Sequence, residues 1–152
     1  MLRIIAVGKV KEKPLKDLIA DYHKRIKSFY NLTQIEIADQ PEQRDVSQGV
    51  KREGEEILKR IKTKEFVVLL DLQGAMLDSV SLAERLEFWS THNSELCFVI
   101  GGSNGVSEAV RQRADFLWQL SELTFPHQMV RLILLEQLYR SCKIINNQSY
   151  HK

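Results

Sequence analysis

Between the apolar run Leu96-Cys97-Phe98-Val99-Ile100 and Ser107, a residue suited to capping a helix, stands the turn Gly101-Gly102-Ser103-Asn104-Gly105. Backbone can approach a ligand closely there, and a strand followed by a glycine turn and a helix start is where open α/β folds place ligands. The local pattern restricts which ligand. A phosphate cradle requires a lysine after its last glycine, where Val106 stands, and the dinucleotide fingerprint requires a second glycine where Ser103 stands. The pattern that does match is G-x-S-x-G, with Ser103 as a hydrolase nucleophile and Asp115 and His127 following in hydrolase order. The competing reading makes Ser103 and Asn104 turn formers only. The length of 152 residues favours it, being short for a hydrolase fold with lids and a substrate pocket.

Other residues offer different chemistry. His127 follows Pro126 in the first turn of a helix, a place for a neutral hydrogen-bonding group near a ligand. Tyr150 and His151 put a stacking ring beside a hydrogen-bonding one, the two interactions that hold a splayed-out base, whereas a frayed terminus would use neither. His23 and His92 have no partner at metal-ligand spacing. Cys97 and Cys142 are unclustered and read as reduced core thiols, so no metal site is expected.

The elements that must position these groups alternate strand and helix. Leu2–Val7 forms a first strand ending at Gly8, and Pro14 opens a helix carrying Leu15, Leu18, Ile19, Tyr22 and Ile26 at helical spacing. Thr33–Ala38 alternates as a second strand, Asp39–Ser47 is a polar loop, and Val50, Gly54, Ile57, Leu58 and Ile61 mark a second helix. Phe66–Leu70 is a strand stopped by Asp71 and the Gln73-Gly74 turn, expected beside Leu96–Ile100 in the centre of the sheet. Ser79 or Ser81 caps a third helix that carries Leu82, Leu86 and Trp89 and ends before Asn93, a short helix runs from Ser107 to about Ala114, and Phe116–Leu120 is the last strand. Pro126 opens the longest helix. Its wide apolar stripe, with Val130, Leu134, Leu138 and Cys142 at its centre, implies one side against the sheet and the other against a partner, hence a homodimer. The order predicts an α/β fold with a largely parallel sheet and flanking helices.

Composition sets the outer bounds. A chain of 152 residues with 43% hydrophobic content suits one domain over residues 1–152. No apolar run reaches the length of a membrane span, and no secretory signal pattern opens the chain, so a cytoplasmic location with no membrane partner is expected. The net charge of +2 hides a division. Residues 9–28 carry seven Lys/Arg against three acids, and residues 127–152 carry four against one; residues 65–126 carry three against nine. Basic ends around an acidic middle suit a polyanion such as nucleic acid. A noncatalytic RNA-binding module and a serine hydrolase using Ser103 therefore stand as alternatives to any other activity.

Several motifs in order resemble one family. Ala6-Val7-Gly8-Lys9, Ile100–Gly105, Leu123-Thr124-Phe125-Pro126-His127-Gln128-Met129-Val130-Arg131, Glu136-Gln137-Leu138-Tyr139-Arg140 and Tyr150-His151-Lys152 are similar to the RlmH family, bacterial ribosomal RNA large-subunit methyltransferases H of the SPOUT class. The resemblance implies a deep trefoil knot near the C-terminus, a homodimer, and S-adenosyl-L-methionine as cofactor. It implies methyl transfer to nitrogen-3 of a pseudouridine in 23S rRNA, at the subunit interface of the assembled ribosome. By the same resemblance the cofactor pocket comprises Leu70, Gly101, Leu120, Ser121, Glu122, Leu123, Thr124 and Phe125. Methyl transfer from a sulfonium needs in-line alignment and no metal, while the accepting nitrogen must lose a proton to a base or have its anion stabilised. His127, Arg140, Tyr150 and His151 are the candidates for those roles.

Overall fold

Strands β1 (Leu2–Val7) and β4 (Leu96–Ile100) are buried at every position, as strands covered on both faces must be. In the computed structural model, which describes residues 1–40 and 45–152, they pair side by side. The other strands are β2 (Leu32–Ile37), β3 (Phe66–Met76) and β5 (Phe116–Gln119), and the five form an all-parallel sheet in the order β2-β1-β4-β3-β5. Alternate residues divide the core in two. Leu2, Ile4, Val68 and Phe98 pack with the layer of α1 (Lys13–Ile26), α3 (Ser79–His92) and α5 (His127–Ile145). Ile5, Val67, Leu69 and Val99 pack with α2 (Val46–Arg60) and α4 (Glu108–Arg113). This is the α/β architecture that the strand–helix alternation predicts.

Several boundaries differ from expectation, each for a local reason. β3 does not stop at Leu70: after a bulge it pairs with β5 again, Ala75 with Trp118 and Met76 with Gln119. Gly74, read from the sequence as a stop, instead lets the two backbones touch, since a Cβ there would lie 2.5 Å from the Leu117 carbonyl carbon and the Trp118 nitrogen. Gly74→Ala is accordingly expected to destabilise the protein by about 1–3 kcal/mol in urea unfolding; an unchanged midpoint would mean that this second pairing does not form. Asp78, not Ser79 or Ser81, caps α3 by accepting from the Ser81 amide at 2.7 Å. The loop expected over Asp39–Ser47 gives way to α2 at Val46, because Asp45 caps that helix through the amides of Ser47 and Gln48; residues 41–44 lie outside the described residues. β2 begins one residue early, with Leu32 beside Leu2, and β5 ends one residue early.

The wide stripe of α5 has an explanation within the chain. Leu134, Leu135, Leu138 and Cys142 are buried in the same core cluster as Ile19 and Ile26 of α1, Leu82 and Leu86 of α3, and Phe98 of β4. Width alone therefore does not require a partner subunit, contrary to the sequence argument. Cys97 and Cys142 are free and buried, and desolvation pushes both thiols up to about 12, so neither is a reactive group at neutral pH.

Candidate active site at the carboxyl ends of the strands

Parallel strands deliver their loops to one end of the sheet, and there a cleft of about 630 Å³ opens. Leu70, the last β3 residue before the bulge, with Ile100 at the end of β4 and Trp118 near the end of β5, makes its apolar floor; the glycine turn forms one wall and the β5–α5 loop another. His127 and Val130 enter from the first turn of α5. Within the turn the Gly105 amide donates to the Gly102 carbonyl at 3.1 Å, and Gly105 has φ +84, so glycine is needed where the chain reverses. The charge of Asp71 in this cleft is met locally: its carboxylate takes the Arg111 Nε at 2.8 Å and the Gln73 amide at 2.8 Å. What remains is a neutral, largely apolar space. Its rim carries Leu72 and Leu123, exposed at 64% and 70%, an apolar surface that none of the described residues covers.

Of the residues expected to form a cofactor pocket, Leu70, Gly101, Leu120, Ser121, Leu123, Thr124 and Phe125 line this cleft. Glu122 does not; it is exposed, and a charged side chain stays hydrated there. Sequence reasoning missed the Asp71–Arg111 pair, which has no spacing signature, and Trp118, whose buried Nε1 has no hydrogen-bond partner among the described residues.

The hydrolase arrangement does not assemble. Ser103 Oγ and His127 Nδ1 stand 3.4 Å apart on the surface, a weak contact, and no carboxylate orients the imidazole among the described residues. Asp115 is at the opposite end of the sheet, accepting from the Val67 amide at 2.8 Å and from Arg113. Nor is Ser103 held at the positive φ of a strained elbow; among the described residues only Asn147 has that conformation outside glycine. Ser103 and Asn104 are turn residues.

The four proposed catalytic groups separate into two places. His127 faces the cleft, its other edge against Gly8, where a Cβ would come within 2.6 Å of Nε2. Arg140, Tyr150 and His151 gather at the far end of α5, about 20 Å along the helix from His127. The tail reaches this place because α5 ends in a Schellman motif: the Gln148 amide donates to the Lys143 carbonyl, the Asn147 amide donates to the Ile144 carbonyl, and Asn147 turns left-handed at φ 52. Tyr150 then packs edge-on to Tyr139, with centroids 5.0 Å apart, and its hydroxyl donates to Glu136 Oε1 at 3.2 Å. Burial, aided by the Tyr22 hydroxyl and the Glu136 charge, pushes the Tyr150 phenol above its usual range. It stays protonated and cannot act as a base in this setting. Arg140 binds Glu136 through Nε and Nη2, which holds its charge in place, lies over the Tyr150 ring, and turns Nη1 toward His151 Nδ1 at 3.4 Å.

Among the described residues no group of three or more His, Cys, Asp or Glu is placed to hold a metal, and no helix is long and apolar enough to cross a membrane.

A parallel sheet with a glycine turn and a neutral cleft at its carboxyl end fits a class that binds a small organic cofactor, and the family model described as "Predicted SPOUT methyltransferase" matches residues 1–151: the chain belongs to that family. It is 46% identical to the ribosomal RNA large subunit methyltransferase H of Acetivibrio thermocellus, over 99% of both chains. To the protein of the same name from Caldicellulosiruptor saccharolyticus it is 41% identical, over all of both chains. A solved structure described as "a probable methylase family protein from Haemophilus influenzae Rd KW20" shares the fold, with a TM-score of 0.54 at 15% identity over 99% of this chain and 70% of that one.

Proposed function

We propose that this protein methylates nitrogen-3 of a pseudouridine in 23S rRNA of the assembled ribosome, using S-adenosyl-L-methionine. It acts in the cytoplasm as a homodimer of single-domain subunits, each with the C-terminal trefoil knot that the family resemblance implies. The observation that carries the reading is the cleft: a glycine turn and the loop 120–126 enclose a neutral space at the strand ends, in a chain 41–46% identical to proteins named as large-subunit rRNA methyltransferases.

The residues present fit such a cofactor. Its size is in the range of cofactor pockets, its walls are apolar, and at Gly101 a Cβ would run into Val106 at 2.5 Å, so the turn offers bare backbone. Leu70, Leu120 and Leu123 would hold the adenosyl group by contact, with the backbone of the loop supplying hydrogen bonds. When bound, S-adenosylmethionine supplies an electrophilic methyl carbon on a sulfonium. The chain's own contribution is orientation, exclusion of water by the apolar rim, and management of the proton on the accepting nitrogen. Arg140 is the cation that stabilises the nitrogen anion, His127 and His151 are the groups that can take its proton, and Tyr150 positions the base without giving up its own proton.

The separation of these groups along α5 supports the dimer better than the apolar stripe does. Arg140 stands about 20 Å along α5 from His127, a separation that a partner related by a two-fold axis would bridge by bringing its own Arg140, Tyr150 and His151 to this cleft and covering the exposed Leu72 and Leu123. The test is incorporation of labelled methyl from S-adenosylmethionine into ribosomes lacking this modification. One methylated pseudouridine in 23S rRNA is expected, and no incorporation would overturn the reading. The noncatalytic alternative predicts RNA binding without incorporation.

A further inference from the structure

The basic stretch at residues 9–28 is used neither by the cleft nor by the tail, yet the fold fixes its start beside the cleft. The Gly8 carbonyl, at the end of β1, accepts from Arg131 Nη2 at 2.7 Å, and the Lys11 amide donates to Gln128 Oε1 at 3.1 Å. Both partners are in the first turns of α5, next to His127. Val10 is buried, so Lys9 and Lys11 on either side of it must point to solvent. From there α1 runs parallel to α5, with Lys11 against Gln128 at one end and Tyr22 against Tyr139 at the other. Its exposed Lys16 is in the first turn of α1, the end held beside Gln128, and its Arg25 lies over the Tyr22 and Tyr139 rings beside the tail.

The cations nearer the chemistry already have an ion-pair partner, and Arg140 a role at the accepting nitrogen. Arg111 is paired with Asp71 in the cleft, and Arg140 is paired with Glu136 beside the tail. Lys13 is paired with Asp17, but among the described residues no ion pair engages Lys9, Lys11 or Lys16. A polyanion approaching the cleft thus meets these three lysines as its uncompensated positive charge, on a loop that the α5 contacts hold in place.

We propose that Lys9, Lys11 and Lys16 form the phosphate-contacting edge of the RNA surface, gripping the backbone of the target stem-loop while its base enters the cleft. The proposal rests on the methyltransferase reading above and adds a surface to it. Phosphate contacts of this kind set register and affinity without reading sequence, and each one broken reduces the salt dependence of binding.

The test is methyl transfer measured against ribosome concentration at several salt concentrations, for the parent protein, Lys9→Glu/Lys11→Glu and Lys64→Glu. Lys64 is an equally exposed lysine in the loop before β3, at the opposite end of the sheet. The double variant is expected to raise the ribosome KM by about tenfold or more and to lower the log–log salt slope by roughly one per lysine, with affinity for S-adenosylhomocysteine unchanged. Lys64→Glu is expected to match the parent. A double variant with parental KM and salt slope would overturn the proposal, as would an equal effect from Lys64→Glu, which would reduce it to net charge. A parent protein that transfers no methyl would instead overturn the reading on which the surface rests, and the surface with it.

Discussion

Removing Ser149–Lys152 is expected to lower ribosomal methyl transfer by about 10²-fold or more while leaving the affinity for S-adenosylhomocysteine nearly unchanged. The deletion spares every residue of the cleft, and it spares the Schellman motif, whose bonds end at Gln148. What it removes is the Tyr150 ring on Tyr139 and Arg140, and the His151 imidazole beside Arg140. The edge-to-face pair and its half-buried ring are worth about 0.5–1.5 kcal/mol, so the truncated protein should remain folded with a slightly lower melting temperature. Methylation at the parental rate would discard the tail as a functional element. Loss of cofactor affinity would show instead that it builds the pocket.

The second large effect is expected at the glycine turn. A Cβ on Gly101 would lie 2.5 Å from Val106 Cγ1 and 3.2 Å from the Gly105 carbonyl oxygen. Val106 is itself buried in the core beneath α4, so it has little room to yield, and the turn must move into the cleft instead. Gly101→Val should therefore destabilise the protein by about 1–3 kcal/mol and weaken cofactor binding by roughly a hundredfold, about 2.7 kcal/mol. Calorimetric titration with S-adenosylhomocysteine, beside an unfolding curve, separates the two effects. Gly105 is the control: its φ of +84 resists a side chain, but nothing lies within 4 Å of its Cβ position, so Gly105→Ala should strain the turn without filling the cleft. Parental affinity in Gly101→Val would mean that the turn does not border the cofactor.

These expectations show which parts of the molecule were legible in the sequence. The central strands were, because burial on both faces leaves unbroken runs such as Leu96–Ile100. So were the glycine turn and the loop after β5, both of which border the cleft. The extension of β3 was not: Gly74 looks like a stop until the backbone of β5 is known to lie against it. The pairing of Asp71 with Arg111 was hidden for a similar reason, since residues 40 apart carry no periodic signal and only the sheet brings them together. The return of the tail onto α5 was not read either. A left-handed Asn at a helix end is a recognised cap, and read that way it would have predicted a chain folding back toward α5. The basic stretch was visible as composition, but its place beside His127 depends on Gln128 and Arg131, more than a hundred residues away.

The central claim is that the cleft of one subunit works with the Arg140–Tyr150–His151 cluster of the other. Its most direct test is a heterodimer, purified through two different tags, of one Gly101→Val chain and one chain lacking Ser149–Lys152. If the two parts act across the dimer, one site of the pair carries both defects and the other carries none, so about half the parental methyl transfer is expected although each homodimer is nearly inactive. If the parts act within one chain, both sites of the heterodimer are defective, and an inactive heterodimer would contradict the account.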